Sequence, residues 1–424
     1  MKNPLLLTAL LVALLLPAAE KAGAQQIPVN YDEAKVPPYT LPDLLTTKSG
    51  RQITSRKQWE SHRPELIRLF SEHVYGKMPT QPVRLRYETT SVDLNALNGT
   101  AIRKQISVFF ADYPQLPPMN ILLYVPKGTT QPVPVFVSMN FQGNHSVSTD
   151  PGITLSTRWL PNLGAGKVVN HQATEAARGM QDRRWPVPMI LARGYALATV
   201  YYGDVEPDHP DGWKTGIRSV LSPPAGPDSW GAIGAWAWGM SRMLDYLETD
   251  PAVNARKAVL VGHSRIGKAT LWAGALDSRF AAVVSNDSGE GGTALARRWY
   301  GETIEHLNTQ FPYWFCPQYK AYNKNPNALP VDQHQLLALI APRPLYVASA
   351  VEDQWADPKG EFLGAKATEP VYQLYSKTGL GMSEHPAVNQ PVGQTVRYHM
   401  RTGVHDVTNY DWEQYLKFAD ELVK

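Results

Sequence analysis

Residues 259–277 read VLVGHSRIGKATLWAGALD. An apolar, partly β-branched run meets Gly262, then Ser264 and Arg265, and passes into an alanine-rich stretch with helical spacing. A short buried strand that turns directly into a helix is the repeating unit of an α/β sheet. The serine at that turn has two readings. It can be an ordinary helix cap, its hydroxyl accepting from an early helical N–H. It can instead be a nucleophile on a tight turn, beside the backbone N–H groups of a helix N-terminus. The match to a G-x-S-x-G elbow is incomplete: Ile266 stands second after the serine, and the glycine, Gly267, comes one later. The serine's partners must decide.

The flanking chain alternates between strand and helix patterns. VRLRYETTSV (83–92), AIRKQISVFFA (101–111) and MNILLYVP (119–126) alternate like antiparallel edge strands. VPVFVSMNF (133–141), YALATVYY (195–202), KAVLVG (257–262), AAVVSN (281–286) and PLYVASA (344–350) are nearly continuous apolar runs, as strands buried on both faces are. RKQWESHRPELIRLFSEHVYGKM (56–78) has helical spacing and a stop at Gly76, and WGAIGAWAWGMSRMLDYLETD (230–250) is a second helix. The alternation predicts an α/β fold, a mostly parallel central sheet with an antiparallel N-terminal edge and helices on both sides, forming three layers. Residues 25–50, rich in proline and polar groups, read as an extended arm, and 142–190 and 296–333 as inserted loops.

At the start, Met1-Lys2-Asn3, the apolar run Pro4–Leu16 and Ala22-Gly23-Ala24 form the three parts of a secretory signal, cut before Gln25. The run is shorter than the roughly 20 residues that span a bilayer. The expected organisation is a signal peptide, 1–24, and one catalytic domain, 25–424, acting in the periplasm or outside the cell. Cys316 is the one cysteine, so no intrachain disulfide is possible and stability rests on the core. With 41 basic and 38 acidic residues the net charge is +3, too balanced for a nucleic-acid binder.

A serine hydroxyl needs a base to take its proton and a third group to orient that base. Where such an elbow carries a nucleophile, the base comes late in the chain and the acid lies between them. His405, in a turn with Gly403 after the last strand pattern, has that place; His399 lies within the strand and reads as structural. Two carboxylates occupy acid seats at the carboxyl ends of strands, where ligands and catalytic groups of such sheets collect. Asp353 follows one strand and Asp287 the preceding one. Glu352, Asp357 and Glu290 are nearby alternatives.

GHSRIGK (262–268) is similar to the G-C-S-R-x-G-K signature of glucuronoyl esterases, carbohydrate esterase family 15. NFQGNH (140–145), NDSGEGG (286–292), LLALIAPRPLYVASAVEDQWADP (336–358) and TGVHD (402–406) also resemble bacterial members. The resemblance implies an α/β hydrolase that cleaves the ester between 4-O-methylglucuronic acid on xylan and an alcohol of lignin, with no metal or other cofactor. It makes Ser264 the nucleophile, His405 the base and Arg265 an oxyanion stabiliser. Lys268 corresponds to a lysine that contacts sugar hydroxyls, and Glu302 and Trp355 match positions lining the uronate pocket. His263 replaces a cysteine common in fungal members. Fungal members carry glutamate at the seat of Asp287, and some bacterial ones use the aspartate matching Asp353. This chain fills both seats, and Asp353 is favoured because its seat is the usual one for the fold. The partners expected are glucuronoxylan and lignin–carbohydrate esters, bound by a monomer that engages neither nucleic acid nor membrane.

Three other readings compete. An acetyl xylan esterase on the same fold would have no use for the polar wall of Arg265, Lys268 and Glu302. A catalytically silent carbohydrate-binding protein would not need three filled triad seats. A peptidase would be expected to carry a propeller or lid domain, and none is visible in the sequence.

Overall fold

The computed structural model describes residues 27–222 and 225–424. The expected secretory signal, residues 1–24, lies outside the described residues. A ten-stranded sheet organises the chain. Its strands are β1 (Leu85–Asn95), β2 (Ala101–Phe110), β3 (Met119–Pro126), β4 (Val133–Asn140), β5 (Ala196–Tyr201), β6 (Val253–His263), β7 (Ala282–Asn286), β8 (Leu345–Ala350), β9 (Val392–Gly393) and β10 (Val396–Arg401). Their order across the sheet is β1-β2-β3-β5-β4-β6-β7-β8-β10-β9. From β5 to β10 neighbouring strands run parallel, while β1, β2 and β3 form the antiparallel N-terminal edge. The short strand β9, antiparallel to β10 at the opposite edge, has no distinct pattern in the sequence.

The apolar runs are continuous because both faces of the sheet are covered. Alternate residues of one strand enter different cores: Leu260 packs on one face with Trp236, Leu244 and Trp272, and Val259 and Val261 on the other with Trp412 and Phe418. The first face carries helices α1 (Arg56–Phe70), α2 (Ala232–Leu247), α3 (Ser264–Leu276) and α4 (Pro358–Ala367), and the second carries α5 (Asn409–Leu422). These are the three expected layers. Helix α1 continues as a wider turn, Ser71–Tyr75, and stops at Gly76, whose φ is 86°. A Cβ there would lie 2.1 Å from the Trp230 Cα, so the close approach to α2's entry requires glycine.

The parallel strands all deliver their carboxyl ends to one edge, where β6, β7, β8 and β10 open into Ser264, Asp287, Asp353 and His405. The N-terminal arm runs to this edge: Asn30 O accepts from Gly301 N at 2.8 Å, and Glu33 pairs with Arg298 and Lys359. The segment 296–333 is a packed insertion with helix Ile304–Gln310 and buried Trp314, Phe315 and Tyr319. Among the described residues no helix is long and apolar enough to cross a membrane.

Candidate active site

The turn between β6 and α3 is tight enough to strain its central residue. Ser264 has φ of 56°, in the left-handed region that a side chain seldom occupies. Gly262 makes the turn possible, since a Cβ there would meet Thr270 Oγ1 at 2.2 Å and Ile266 O at 2.5 Å. The second glycine is displaced to 267 for a packing reason: a Cβ on Gly267 would press on Ser288 and Ser285, while Ile266 is buried in the core. The residue at the cap position is His263, and it makes no side-chain capping bond. Ser264 is therefore not an ordinary cap. It stands where α3 begins, and the first N–H groups of a helix lack intrahelical acceptors.

His405 Nδ1–H donates to Asp353 Oδ2 at 2.6 Å. The imidazole is 40% exposed, whereas the Asp353 carboxylate is buried. His263, next to Ser264 in the chain, places its ring centroid 4.5 Å from that of His405. Burial, reinforced by His405, pushes the His263 imidazole well below its ordinary pKa, and its Nδ1 lies 2.6 Å from Asn286 Oδ1. His263 is thus a neutral, fixed surface behind His405. Ser264 Oγ makes no hydrogen bond among the described residues, a looseness common before substrate aligns such pairs.

Asp287 reaches the same place with different surroundings. Asp287, Asp353 and His405 each offer an atom within 4.8 Å of the others, the one group of three among the described residues with spacing that could also hold a metal ion. Both Asp287 oxygens are buried and lack a hydrogen-bond partner, and Arg401 Nη2 stands 3.6 Å away. Burial, then the charges of Glu361 and Asp353, pushes the carboxyl well above the ordinary carboxylate range. The other acids are committed elsewhere. Asp357 caps α4 and binds Arg298, and Glu290 accepts from Tyr319; Glu352 is exposed, and its side chain makes no hydrogen bond among the described residues. His399, between Tyr346 and Asp411, is structural as its place in the strand implies.

Lys268, one turn along α3, is buried and gives its three N–H groups to Ser288 O at 2.7 Å, Glu290 O at 2.5 Å and Glu302 Oε2 at 2.7 Å. The other Glu302 oxygen accepts from Trp355 Nε1 at 3.1 Å. Three residues distant in the sequence are so joined in one chain of contacts beside the turn that carries Ser264. Arg265 is held by Asp208 and lies over the Trp314 ring, 4.7 Å from its centroid.

Two acids escaped the sequence reading. Asp208 is one of four acidic residues between 204 and 211, and nothing in their spacing singles it out. Glu361, on α4, accepts from the backbone of Ser288 and Gly289 and from Thr293 and Ser349, tying the loop after β7 to β8. Burial raises its pKa to about 7.

A family model described as "Glucuronyl esterase, fungi" matches residues 225–376, which include every candidate site residue except His405. Over 404 residues the chain is 44% identical to carbohydrate esterase MZ0003 from an unknown prokaryotic organism, covering 94% of this chain and 93% of the relative. It is 26% identical over 379 residues to 4-O-methyl-glucuronoyl methylesterase 1 of Wolfiporia cocos, covering 86% and 80% of the two chains. Among solved structures, a glucuronoyl esterase from Solibacter usitatus matches with a TM-score of 0.87 at 50% identity, over 92% of this chain and all of that one.

Proposed function

Because the chain belongs to carbohydrate esterase family 15, the glucuronoyl esterases, and is a carboxylic ester hydrolase on the α/β-hydrolase fold, we propose that it cleaves esters between 4-O-methylglucuronic acid on xylan and lignin alcohols, through a Ser264–His405–Asp353 triad. The 2.6 Å His405–Asp353 contact beside the strained Ser264 turn carries this reading. His405 Nε2 takes the serine proton as Oγ attacks the C6 carbonyl carbon of the uronate. The carbonyl electrons move onto oxygen, giving a tetrahedral oxyanion that Arg265 and an N–H at the start of α3 stabilise. Collapse expels the alcohol, which takes the proton from His405, and leaves the uronoyl group on Ser264. Water, deprotonated by His405, then attacks the acyl-enzyme, and Ser264 regains its proton as the uronic acid departs.

Asp353 fixes the imidazole tautomer and stabilises its cation. Asp287, without hydrogen-bond partners, is an auxiliary acid that takes over the orienting bond when Asp353 is removed. Because the sugar is the acid half of the ester, its hydroxyls can orient the carbonyl. Glu302, held by Lys268, and the Trp355 ring supply the wall for them. An acetyl group has no hydroxyls to engage the remaining acceptor capacity of Glu302 or a ring to lie on Trp355, which argues against an acetyl xylan esterase. The same reading takes residues 25–424 as one exported, monomeric catalytic domain.

The decisive comparison is hydrolysis of benzyl glucuronate against 4-nitrophenyl acetate by the wild type and Ser264→Ala. Preference for the glucuronate ester, abolished in the variant, is the expected result. Preference for the acetate would overturn the uronate pocket while leaving the nucleophile, and full activity of Ser264→Ala would overturn the triad.

A further inference from the structure

The Arg265 side chain is long and has several rotatable bonds. If it is to meet an oxyanion, its order must be set before the reaction, or the transition state must supply it. The structure holds it by a buried acid. Asp208, in the segment after β5, receives Arg265 Nη1–H on its Oδ2. The same carboxylate accepts from Tyr313 Oη at 2.8 Å, Trp314 Nε1 at 2.8 Å and Tyr202 Oη at 3.2 Å. Four donors on one carboxylate leave it little freedom to turn.

The insertion that supplies Tyr313 and Trp314 also forms the floor under the arginine. Trp314 lies beneath the guanidinium, and Phe311 stacks on Trp314 with centroids 3.7 Å apart and planes 3° from parallel. The Arg265 Nε–H is buried and has no acceptor among the described residues. Nη1 of the guanidinium is thereby committed to Asp208, while Nη2 has no hydrogen-bond partner among the described residues and is not buried, on a side chain that is 29% exposed, so it is free to donate to an oxygen brought by the substrate. A buried donor left unpaired is costly, and the arrangement persists because the clamp fixes the side chain around it.

We infer that Asp208 is the positioning residue for Arg265, orienting its guanidinium toward the developing oxyanion without itself touching substrate. The inference rests on the oxyanion role given to Arg265 above. It also accounts for the insertion at 296–333: the segment that supplies Glu302 to the sugar pocket supplies Tyr313 and Trp314 to the clamp.

The test is a double-mutant cycle on benzyl glucuronate with Asp208→Asn, Arg265→Met and both together, each followed by thermal unfolding. Asp208→Asn is expected to lower kcat about 10- to 100-fold, below the effect of losing a whole oxyanion donor, with KM within about twofold. Added to Arg265→Met, it is expected to change kcat by less than about twofold, because its action passes through the arginine. Equal losses in both backgrounds, or wild-type kcat in Asp208→Asn, would overturn the positioning role. Unchanged kcat in Arg265→Met would instead overturn the oxyanion reading itself. Should Asp208→Asn fail to fold, Tyr313→Phe removes one donor from the clamp. A kcat loss that appears when Arg265 is intact and vanishes in the Arg265→Met background supports the inference, and equal losses refute it.

Discussion

His405 Nδ1–H donates to Asp353 Oδ2 at 2.6 Å. Asp287 is close enough to compete and yet has neither oxygen bonded. The difference lies in surroundings rather than distance. An ionised Asp287 would be a second buried negative charge beside Asp353, with Glu361 adding a third nearby, so the neutral form is favoured. Asp353 is the one of the two that accepts from His405 Nδ1.

Asp353→Asn should therefore lower kcat on benzyl glucuronate far more than Asp287→Asn. An amide at 353 can present an N–H to the imidazole and favour the wrong tautomer, a change that costs on the order of 10²- to 10⁴-fold in serine hydrolases. Asp287→Asn should cost much less. Asp287 can re-aim toward His405, so the double variant should fall below Asp353→Asn alone. The reverse ranking in steady-state kinetics would place the working acid at 287.

Lys268 and Glu302 should separate folding from binding. Lys268→Met leaves the Glu302 carboxylate, 9% exposed, without its cation, a loss of about 3–5 kcal/mol for a buried pair. Calorimetry should show the unfolding temperature falling by several degrees. Adding Glu302→Gln removes the stranded charge and should recover much of that stability. It should not recover KM for the glucuronate ester, because the charged wall is still absent. Recovery of both would make the pair structural only.

The elbow and the sheet are legible in the sequence because their constraints are local. A strand must be apolar on both faces, and the turn at Gly262 tolerates no Cβ. The choice between Asp353 and Asp287 is not local. Both follow adjacent parallel strands, and the aim of each carboxylate depends on a loop conformation, with Asp287 itself at φ of 45°. The resemblance brings Lys268, Glu302 and Trp355 to the site together, but not that Lys268 and Trp355 both bind Glu302. Asp208 is illegible for a related reason. Arg265 and Tyr313 lie 57 and 105 residues further along the chain, and only the folded insertion brings them to it.

The spacing of Asp287, Asp353 and His405 also poses a metal question that kinetics can answer. A triad draws its nucleophile from Ser264 and its proton transfer from His405, so prolonged treatment with EDTA should leave kcat/KM at that of the untreated enzyme. Activity lost on chelation and restored by a divalent cation would assign those three residues to a metal and sink the triad.

Glu290 makes stability depend on pH in a direction that can be worked out. It lies in the loop after β7, its Oε1 accepting from Tyr319 Oη at 2.6 Å and Gly291 N at 2.9 Å. Burial raises its pKa to about 8 from an ordinary 4.5. The folded protein therefore holds this proton more tightly than the unfolded chain. Its contribution is fully present below pH 4.5, declines as pH rises, and is lost above about 8, where both states have given up the proton. Glu290→Gln keeps the acceptor oxygen and cannot ionise. Relative to the wild type, the variant should gain stability between about pH 5 and pH 9, by on the order of 2–4 kcal/mol. Thermal unfolding of the two proteins at both pH values measures that gain. A difference in unfolding temperature that stays constant with pH would mean that Glu290 is ionised in the folded protein throughout, with Lys268 close enough to hold the charge.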